Sequence, residues 1–429
     1  MIDWFVPRSA LTADQLRAVE LSPHENRAVS GPPGSGKTLV LLHRADYLAR
    51  RAGFGPMQFR VFTFGTVLAD YMRTALELLG LPAAWVVTFD HWCMEIYRRE
   101  IGGVLPWDER GPDFAAVRRA VRRLVQEAPR KYALYDFALV DEGQDLDREA
   151  YEILAVVARH VTVGLDYQQQ IFEHGSPASE VYKILGVSKG SVALLKSQRC
   201  RPWVRSLAAR LLAPAEREGF VDEAPAAPGE REQPLLYRAA DVWDEVARLA
   251  EVVKTRTARN ESVGILLGLN RHVQVYAQAL TDAGLTVEAR PDRAERRSSL
   301  PIIDFASDNP KVLAYPSAKG LSFDTVLLPR LSASSFPRAS ATRQRQLLFV
   351  ALTRARRWVY LSAQRGRELP LLAELGMLAS SPGLTVQEGV PPGGGIQLNL
   401  YAGPEHRHEA KPRQPAPPLP RADPLTDLF

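Results

Sequence analysis

The segment Gly31-Pro-Pro-Gly-Ser-Gly-Lys-Thr38 has the spacing GxxxxGK[ST], which suits a loop that wraps phosphate. Gly31, Gly34 and Gly36, with Ser35 between the last two, let backbone N–H groups curl around phosphate oxygens. Lys37 is placed to reach the β- and γ-phosphates, and Thr38 to hold Mg²⁺. Roughly a hundred residues later, the apolar run Phe137–Val140 ends in Asp141-Glu142-Gly143-Gln144-Asp145. An acid at such a strand end completes a Mg²⁺ site, and a neighbouring carboxylate orients and deprotonates an attacking water. Asp141 takes the first role and Glu142 the second. The chemistry implied is hydrolysis of a nucleoside triphosphate, with ATP as the ligand and Mg²⁺ as the cofactor. Such hydrolysis also needs positive charge on the transferring phosphoryl group, best supplied from an opposing lobe.

These residues need a parallel sheet to hold them, because ligands of such folds sit outside the carboxyl ends of the strands. Short β-branched or aromatic runs at Arg27–Ser30, Arg60–Phe64, Trp85–Phe89, Phe137–Val140 and Val161–Leu165 alternate with helical patterns, of which Leu39–Arg51 follows the glycine loop. A second α/β series begins near Val192. It resumes after the Pro/Glu-rich stretch Glu216–Pro234, which is not expected to pack, with strands at Leu235–Tyr237, Val263–Leu267, Lys311–Tyr315, Thr325–Leu328 and Trp358–Ser362. The expected fold is therefore α/β, with two parallel-sheet domains and the ATP cleft between them. Their expected bounds are 1–190, including a helical stub near 93–132, and 191–380, followed by a flexible Pro/Gly-rich tail over 381–429.

At 429 residues, with 46% hydrophobic and 24% charged residues, the chain has the composition of a soluble multidomain protein. No apolar run reaches the roughly 18 to 20 residues that span a bilayer, and the N-terminus lacks a secretory pattern, so a cytoplasmic location is expected. Cys93 and Cys200 form no CxxC pair, which signals neither a disulfide framework nor a zinc site. The net charge of +5 is compatible with a polyanionic partner without demonstrating one.

DEGQD together with the glycine loop, and VALTRARR near the end of the second series, resemble motifs II and VI of the UvrD/Rep/PcrA-like superfamily 1 DNA helicases. Further motifs of that family fall in order. LTADQLRAV resembles the Q motif, which implies that Gln15 reads the adenine edge. TFGT and TFDHW resemble motifs Ia and Ib, and GLDYQQQIF resembles motif III, which implies that Gln169 senses the γ-phosphate and Asp166 supports the turn. LLKSQRC and SAKGLSFDTVLLP resemble motifs IV and V, the latter with Lys319 and Gly320. The resemblance, over about residues 11 to 362, implies two RecA-like domains and makes Arg199 and Arg354 the cations that meet the phosphoryl group.

Several positions depart from the family. The residues that sandwich adenine there are Leu39 and Gln198 here, and the ribose-binding glutamate is Ser322, so weaker adenine selectivity is expected. The motif V Thr-x-His that touches the strand corresponds to Ala314 and Pro316 here, and the stacking tryptophan of motif III to the region of Glu173 and His174. Phe64, Thr88, Phe172 and His174 are the remaining candidates for nucleic-acid contact. The family's two large helical insertions are reduced or absent. In the first stub, Phe114, Val117, Val121 and Leu124 recur at helical spacing, with Arg118, Arg119, Arg122 and Arg123 on the rest of the surface. Arg118 and Arg122 are the candidate phosphate contacts of that helix. The Arg290–Arg297 cluster marks the second missing insertion.

In the tail, Gln397-Leu-Asn-Leu-Tyr401 resembles the QLxLF-type peptide with which bacterial replication proteins dock on the sliding clamp; Leu425–Phe429 is a second candidate. The sequence thus points to an ATP-dependent motor on single-stranded DNA, with RNA as a further candidate trigger, in repair, replication or defence. The alternative is a nucleic-acid-triggered ATPase switch that gates a partner protein without unwinding. No membrane partner is implied.

Overall fold

The computed structural model describes residues 5–51, 58–108, 111–166, 175–188, 192–194, 201–217, 220, 232–290, 303–337, 339–379 and 383–390. Along the chain the strands are β1 (Arg27–Ser30), β2 (Phe59–Thr63), β3 (Val86–Thr88), the hairpin pair β4 (Trp107–Asp108) and β5 (Gly111–Pro112), β6 (Tyr135–Val140), β7 (Ala158–Leu165) and β8 (Val192–Leu194). They continue with β9 (Leu235–Ala239), β10 (Val263–Leu267), β11 (Glu288–Ala289), β12 (Lys311–Ala314), β13 (Phe323–Leu328), β14 (Ala355–Gln364) and β15 (Thr385–Glu388).

Two parallel sheets result, one ordered β3-β2-β6-β7-β1-β8 and the other β11-β12-β10-β13-β14-β9-β15. The α/β class with two parallel sheets is as expected. Near-continuous burial along β6, β7, β10 and β13 explains why these strands read as apolar runs rather than alternating ones. Two strands fall elsewhere than the sequence pattern suggests. Val192–Leu194 does not open the second series; it pairs with Ala28–Ser30 as the sixth strand of the first sheet. Thr385–Glu388, expected in the tail, pairs with Leu235–Arg238 at the edge of the second sheet, where its backbone completes β9 and Val386 packs against the core while the other three side chains are exposed. Within the stretch expected to stay unpacked, Phe220 is buried against Phe349 and Glu232 pairs with Arg256.

Five helices position the site. α1 (Ala13–Val19) starts at a capping box in which Thr12 and Gln15 satisfy each other's backbone donors. α2 (Lys37–Arg51) leaves the glycine loop, α3 (Thr66–Leu78) follows β2, α4 (Phe89–Ile96) follows β3, and α5 (Phe114–Glu127) is the stub helix. α5 buries Val117, Val121 and Val125 and is capped by Asp113. Val67, Leu68, Tyr71 and Met72 of α3 join the same hydrophobic cluster as Leu313 of β12 and Tyr315, Ala318 and Leu321 of the connection from β12 to β13. The two sheets therefore share apolar packing through α3, which fixes how their facing loops meet. Among the described residues no helix is long and apolar enough to cross a membrane.

Candidate active site and nucleic-acid cleft

Three neighbouring strands of the first sheet, β6, β7 and β1, bring the chemistry-bearing residues to one edge. β1 ends in the glycine loop, β6 in Asp141 and β7 in Asp166. Gly34 and Gly36 adopt φ of 75° and 87°, a backbone that a residue with a Cβ rarely accepts. Lys37 Nζ donates to Gly31 O at 2.8 Å, to Pro32 O at 3.1 Å and to Asp166 Oδ2 at 2.8 Å. Asp166 thus holds the loop lysine directly, beyond the turn-supporting role the sequence implies. Thr38 Oγ1 donates to Asp141 Oδ2 at 2.7 Å, which sets two hard oxygens side by side as Mg²⁺ ligands require. Ser35 Oγ is buried with no hydrogen-bond partner among the described residues, as in a loop shaped for further oxygen contacts.

Glu142 sits in the left-handed backbone region at φ 54°. The turn is held by Tyr151, whose hydroxyl donates to Gly143 O at 2.6 Å, and a Cβ on Gly143 would lie 2.4 Å from Val163 Cγ2. Gln144 Nε2 donates to Glu142 Oε2 at 2.5 Å, and its Oε1 accepts from Asp166 N at 2.9 Å. Burial pushes the Asp141 carboxyl up to about 7, and the adjacent Glu142 charge adds to that shift. Burial also acts on Glu142, but Lys319, Lys37 and Arg354 outweigh it and hold its carboxyl below the usual range. The two neighbouring carboxylates therefore sit in different electrostatic surroundings.

The opposing wall comes from the second sheet. Gly320, Ser322 and Arg354 line one solvent-open cleft of about 300 Å³ with Gly34, Gly36, Lys37, Thr38 and Glu142. Arg354 leads into β14; its guanidinium donates to Val350 O at 2.9 Å, Leu321 O at 3.2 Å and Thr353 Oγ1 at 3.2 Å. Gly320 has φ 80°, and a Cβ there would lie 2.8 Å from Leu68 Cδ1 of α3. Gln15 is buried beside the loop, its Nε2 donating to Ser35 O at 2.9 Å and its Oε1 accepting from Thr12 N at 3.0 Å. Gln169 and Arg199 lie outside the described residues.

Residues 11–109 match the family model of the UvrD/REP helicase N-terminal domain, and residues 316–362 match that of the UvrD-like helicase C-terminal domain. The chain is UvrD/PcrA-like. Its similarity to curated relatives is local. Over 96 residues it is 34% identical to the ATP-dependent DNA helicase PcrA of Bacillus subtilis, a match covering 22% of this chain and 13% of that protein. Over 93 residues it is 33% identical to PcrA of Staphylococcus epidermidis, covering 21% and 13% respectively. A solved C-terminal domain of a possible DNA helicase from Lactobacillus plantarum WCFS1 aligns with 44% of this chain and 98% of its own at 18% identity, with a TM-score of 0.33.

In this UvrD/PcrA-like chain a second, shallow and solvent-open cleft adjoins the first, lined by Phe64, Gly65, Leu68, Glu142, Asp145, Pro316, Ser317 and Lys319. Of the nucleic-acid candidates, Phe64 lies in that cleft. Three others make contacts within the protein. Thr88 is buried as the N-cap of α4, accepting from His91 N at 3.3 Å. Arg118 pairs with both Asp90 and Asp147, and Arg122 with Glu152 at 3.0 Å, so carboxylates already neutralise the inner arginines of α5. Arg119 and Arg123 are the exposed cations of that helix. Phe172, His174, Gln397–Tyr401 and Leu425–Phe429 lie outside the described residues, as do residues 291–297, while Arg290 pairs with Asp70 at 2.8 Å.

The sequence assigns Lys319 no role beyond its place in a motif, yet Lys319 Nζ lies 2.5 Å from Asp145 Oδ2 and 3.4 Å from Glu142 Oε2. The second aspartate of DEGQD is the available signal, since a buried Asp145 requires a cation. Trp92 belongs to the core, its Nε1 donating to the Tyr135 hydroxyl at 2.8 Å.

Proposed function

We propose that this chain is a Mg²⁺-dependent ATP hydrolase that converts nucleotide-driven movement of its two sheets into translocation or remodelling on single-stranded DNA, in the cytoplasm. The observation that carries this reading is the shared cleft: Arg354 of the second sheet faces the same space as Lys37, Thr38 and Glu142 of the first. Lys37 and the glycine loop bind the triphosphate, Thr38 and Asp141 hold Mg²⁺, and Glu142 takes the proton of the attacking water. Mg²⁺ supplies charge neutralisation to the phosphate oxygens. Arg354, with Arg199 and Gln169 as its proposed partners, stabilises charge on the transferring group, and Gly320 permits the close approach of the second sheet. Hydrolysis across a seam makes the relative position of the sheets depend on nucleotide state.

The second cleft, with Phe64 on its wall, is the proposed entry for the strand, since base stacking on an aromatic ring contributes about 1 to 3 kcal/mol per base. The tail peptides are the proposed address for a sliding clamp or another replication or defence protein. The internal commitment of Thr88, Arg118 and Arg122 favours a second reading, in which nucleic acid triggers hydrolysis and the movement gates a partner protein without unwinding.

Phosphate release with ATP and Mg²⁺ decides between these readings when measured alone, with single-stranded DNA, and with RNA, next to a strand-displacement assay. The motor reading expects stimulation by DNA together with movement; stimulation without movement selects the switch. A chain that hydrolyses no ATP under any of these conditions overturns both.

A further inference from the structure

Glu142 belongs to both clefts. It lines the phosphate side with Lys37 and Arg354, and the other side with Phe64, Leu68, Pro316 and Lys319. Lys319 is buried, carried by the second sheet, and bridges two carboxylates of the first: Asp145 at 2.5 Å and Glu142 at 3.4 Å. The Glu142 oxygen it approaches also accepts from Gln144, whose own oxygen accepts from Asp166 N, and Asp166 holds Lys37. A continuous polar chain therefore runs Lys319, Glu142, Gln144, Asp166, Lys37, from the second cleft to the phosphate loop.

We infer that Lys319 is the positioning residue that couples strand occupancy to hydrolysis: it holds Glu142 away from the attacking water until a strand in the second cleft draws it off. Lys319 is the one cation among the described residues lining that cleft, so a phosphodiester entering there competes with Glu142 and Asp145 for the same ammonium. A pair that only joined the sheets would need just one carboxylate, and this lysine also touches the one proposed to handle water. Buried networks of this kind have discrete arrangements rather than graded ones, which is what a switch requires. The inference rests on the hydrolytic reading of Glu142.

The test uses the full chain and oligo(dT) as the probe, measuring steady-state ATP hydrolysis with and without it alongside anisotropy of a labelled oligo(dT). Lys319→Ala raises the rate without DNA and lowers the ratio of stimulated to unstimulated rates at least about fivefold, while oligo(dT) affinity changes by less than that factor. Asp145→Asn works in the opposite direction: it leaves Lys319 to Glu142 alone, lowers the unstimulated rate and enlarges the ratio. Lys319→Arg keeps the charge and largely keeps the ratio, and thermal melts confirm that each variant is folded. A Lys319→Ala protein whose two rates fall in proportion, or whose ratio matches the parent's, overturns the inference and leaves the hydrolase reading standing. A parent chain without ATPase activity defeats that reading itself. A parent that hydrolyses ATP with no response to oligo(dT) overturns the coupling alone.

Discussion

Lys37 donates to Asp166 across 2.8 Å, and both side chains are buried, one at the start of α2 beyond the glycine loop of β1 and the other at the end of the adjacent strand β7. The lysine proposed to meet the triphosphate is thus stored against a carboxylate, and each group keeps the other's burial tolerable. Lys37→Ala strands Asp166, and breaking a buried pair in this way costs about 3 to 5 kcal/mol. Hydrolysis should fall by at least about a hundredfold in the same variant. Adding Asp166→Asn removes the unpaired charge, so the double variant recovers most of the stability in urea melts and none of the activity. Equal stabilities for the single and double variants would show that the pair does not hold this edge.

Arg354 is anchored by Val350 O, Leu321 O and Thr353 Oγ1 before any nucleotide arrives. A lysine keeps the charge and loses the fork of donors that fixes its direction. Arg354→Lys and Arg354→Ala should both lower kcat, the latter by about 10³ or more, as for arginines that meet a transferring phosphoryl group. Affinity for a non-hydrolysable ATP analogue should stay close to that of the parent. A loss confined to affinity would make Arg354 a binding residue only.

The phosphate edge is legible in the sequence because its residues sit in local spacing: glycines, Lys37 and Thr38 within one loop, Asp141 and Glu142 at the end of an apolar run. Most strands are legible for the same reason, their burial on both faces producing short apolar runs. What stays hidden depends on distant pairing. Val192–Leu194 joins the first sheet only through Ala28–Ser30, and Thr385–Glu388, with Val386 as its one half-buried side chain, is a strand because β9 presents a free edge. Arg118 and Arg119 are adjacent in sequence and opposite in fate, since Asp90 and Asp147 come to the inner one from other elements. The bond from Lys319 to Asp145 spans 174 positions and leaves no local trace.

Gln15 already spends its amide inside the protein, donating to Ser35 O and accepting from Thr12 N. Leu39, where the family has an arginine on adenine, is buried beside Leu11, Ala18 and Val29. Little is left to choose between bases, so kcat/KM for ATP and GTP should agree within about a hundredfold, below what a site built to hydrogen-bond one substrate achieves. Gln15→Ala should lower both by a similar factor, through the loop. A collapse of ATP turnover alone would make Gln15 a reader of adenine.

Arg119 and Arg123 are the exposed arginines of α5, while Arg118 and Arg122 are held by carboxylates. If α5 borders the strand, Arg119→Ala with Arg123→Ala should reduce the log–log salt slope of single-strand binding by about 1.4, at about 0.7 for each phosphate contact. Arg118→Ala should leave that slope alone and lower stability instead, because Asp90 and Asp147 lose their shared cation. Identical slopes in the parent and the double variant would place α5 away from the strand.

His160 lies in the first sheet with only 2% of its surface exposed, and Arg44 Nη2 faces its Nε2 at 3.3 Å. The same Nε2 meets Thr162 Oγ1 at 2.8 Å, and the Arg44 cation beside it opposes a second positive charge on the ring. Burial, reinforced by Arg44 and Arg27, lowers the His160 pKa from 6.5 to about 3. His272 is lowered to about 4, again mainly by burial, and adds to the same trend. In the unfolded chain each ring takes up a proton below about pH 6.5, which the fold refuses until far lower pH. The unfolded state therefore binds more protons in that window, and stability falls as pH drops through it. From pH 7 to pH 5 the expected loss from His160 is about 2 kcal/mol. His160→Gln can still accept from Arg44 through its side-chain oxygen but carries no titrating group. Urea melts of that variant should lose His160's share of the pH dependence. An undiminished slope would move the origin of any acid sensitivity to other groups.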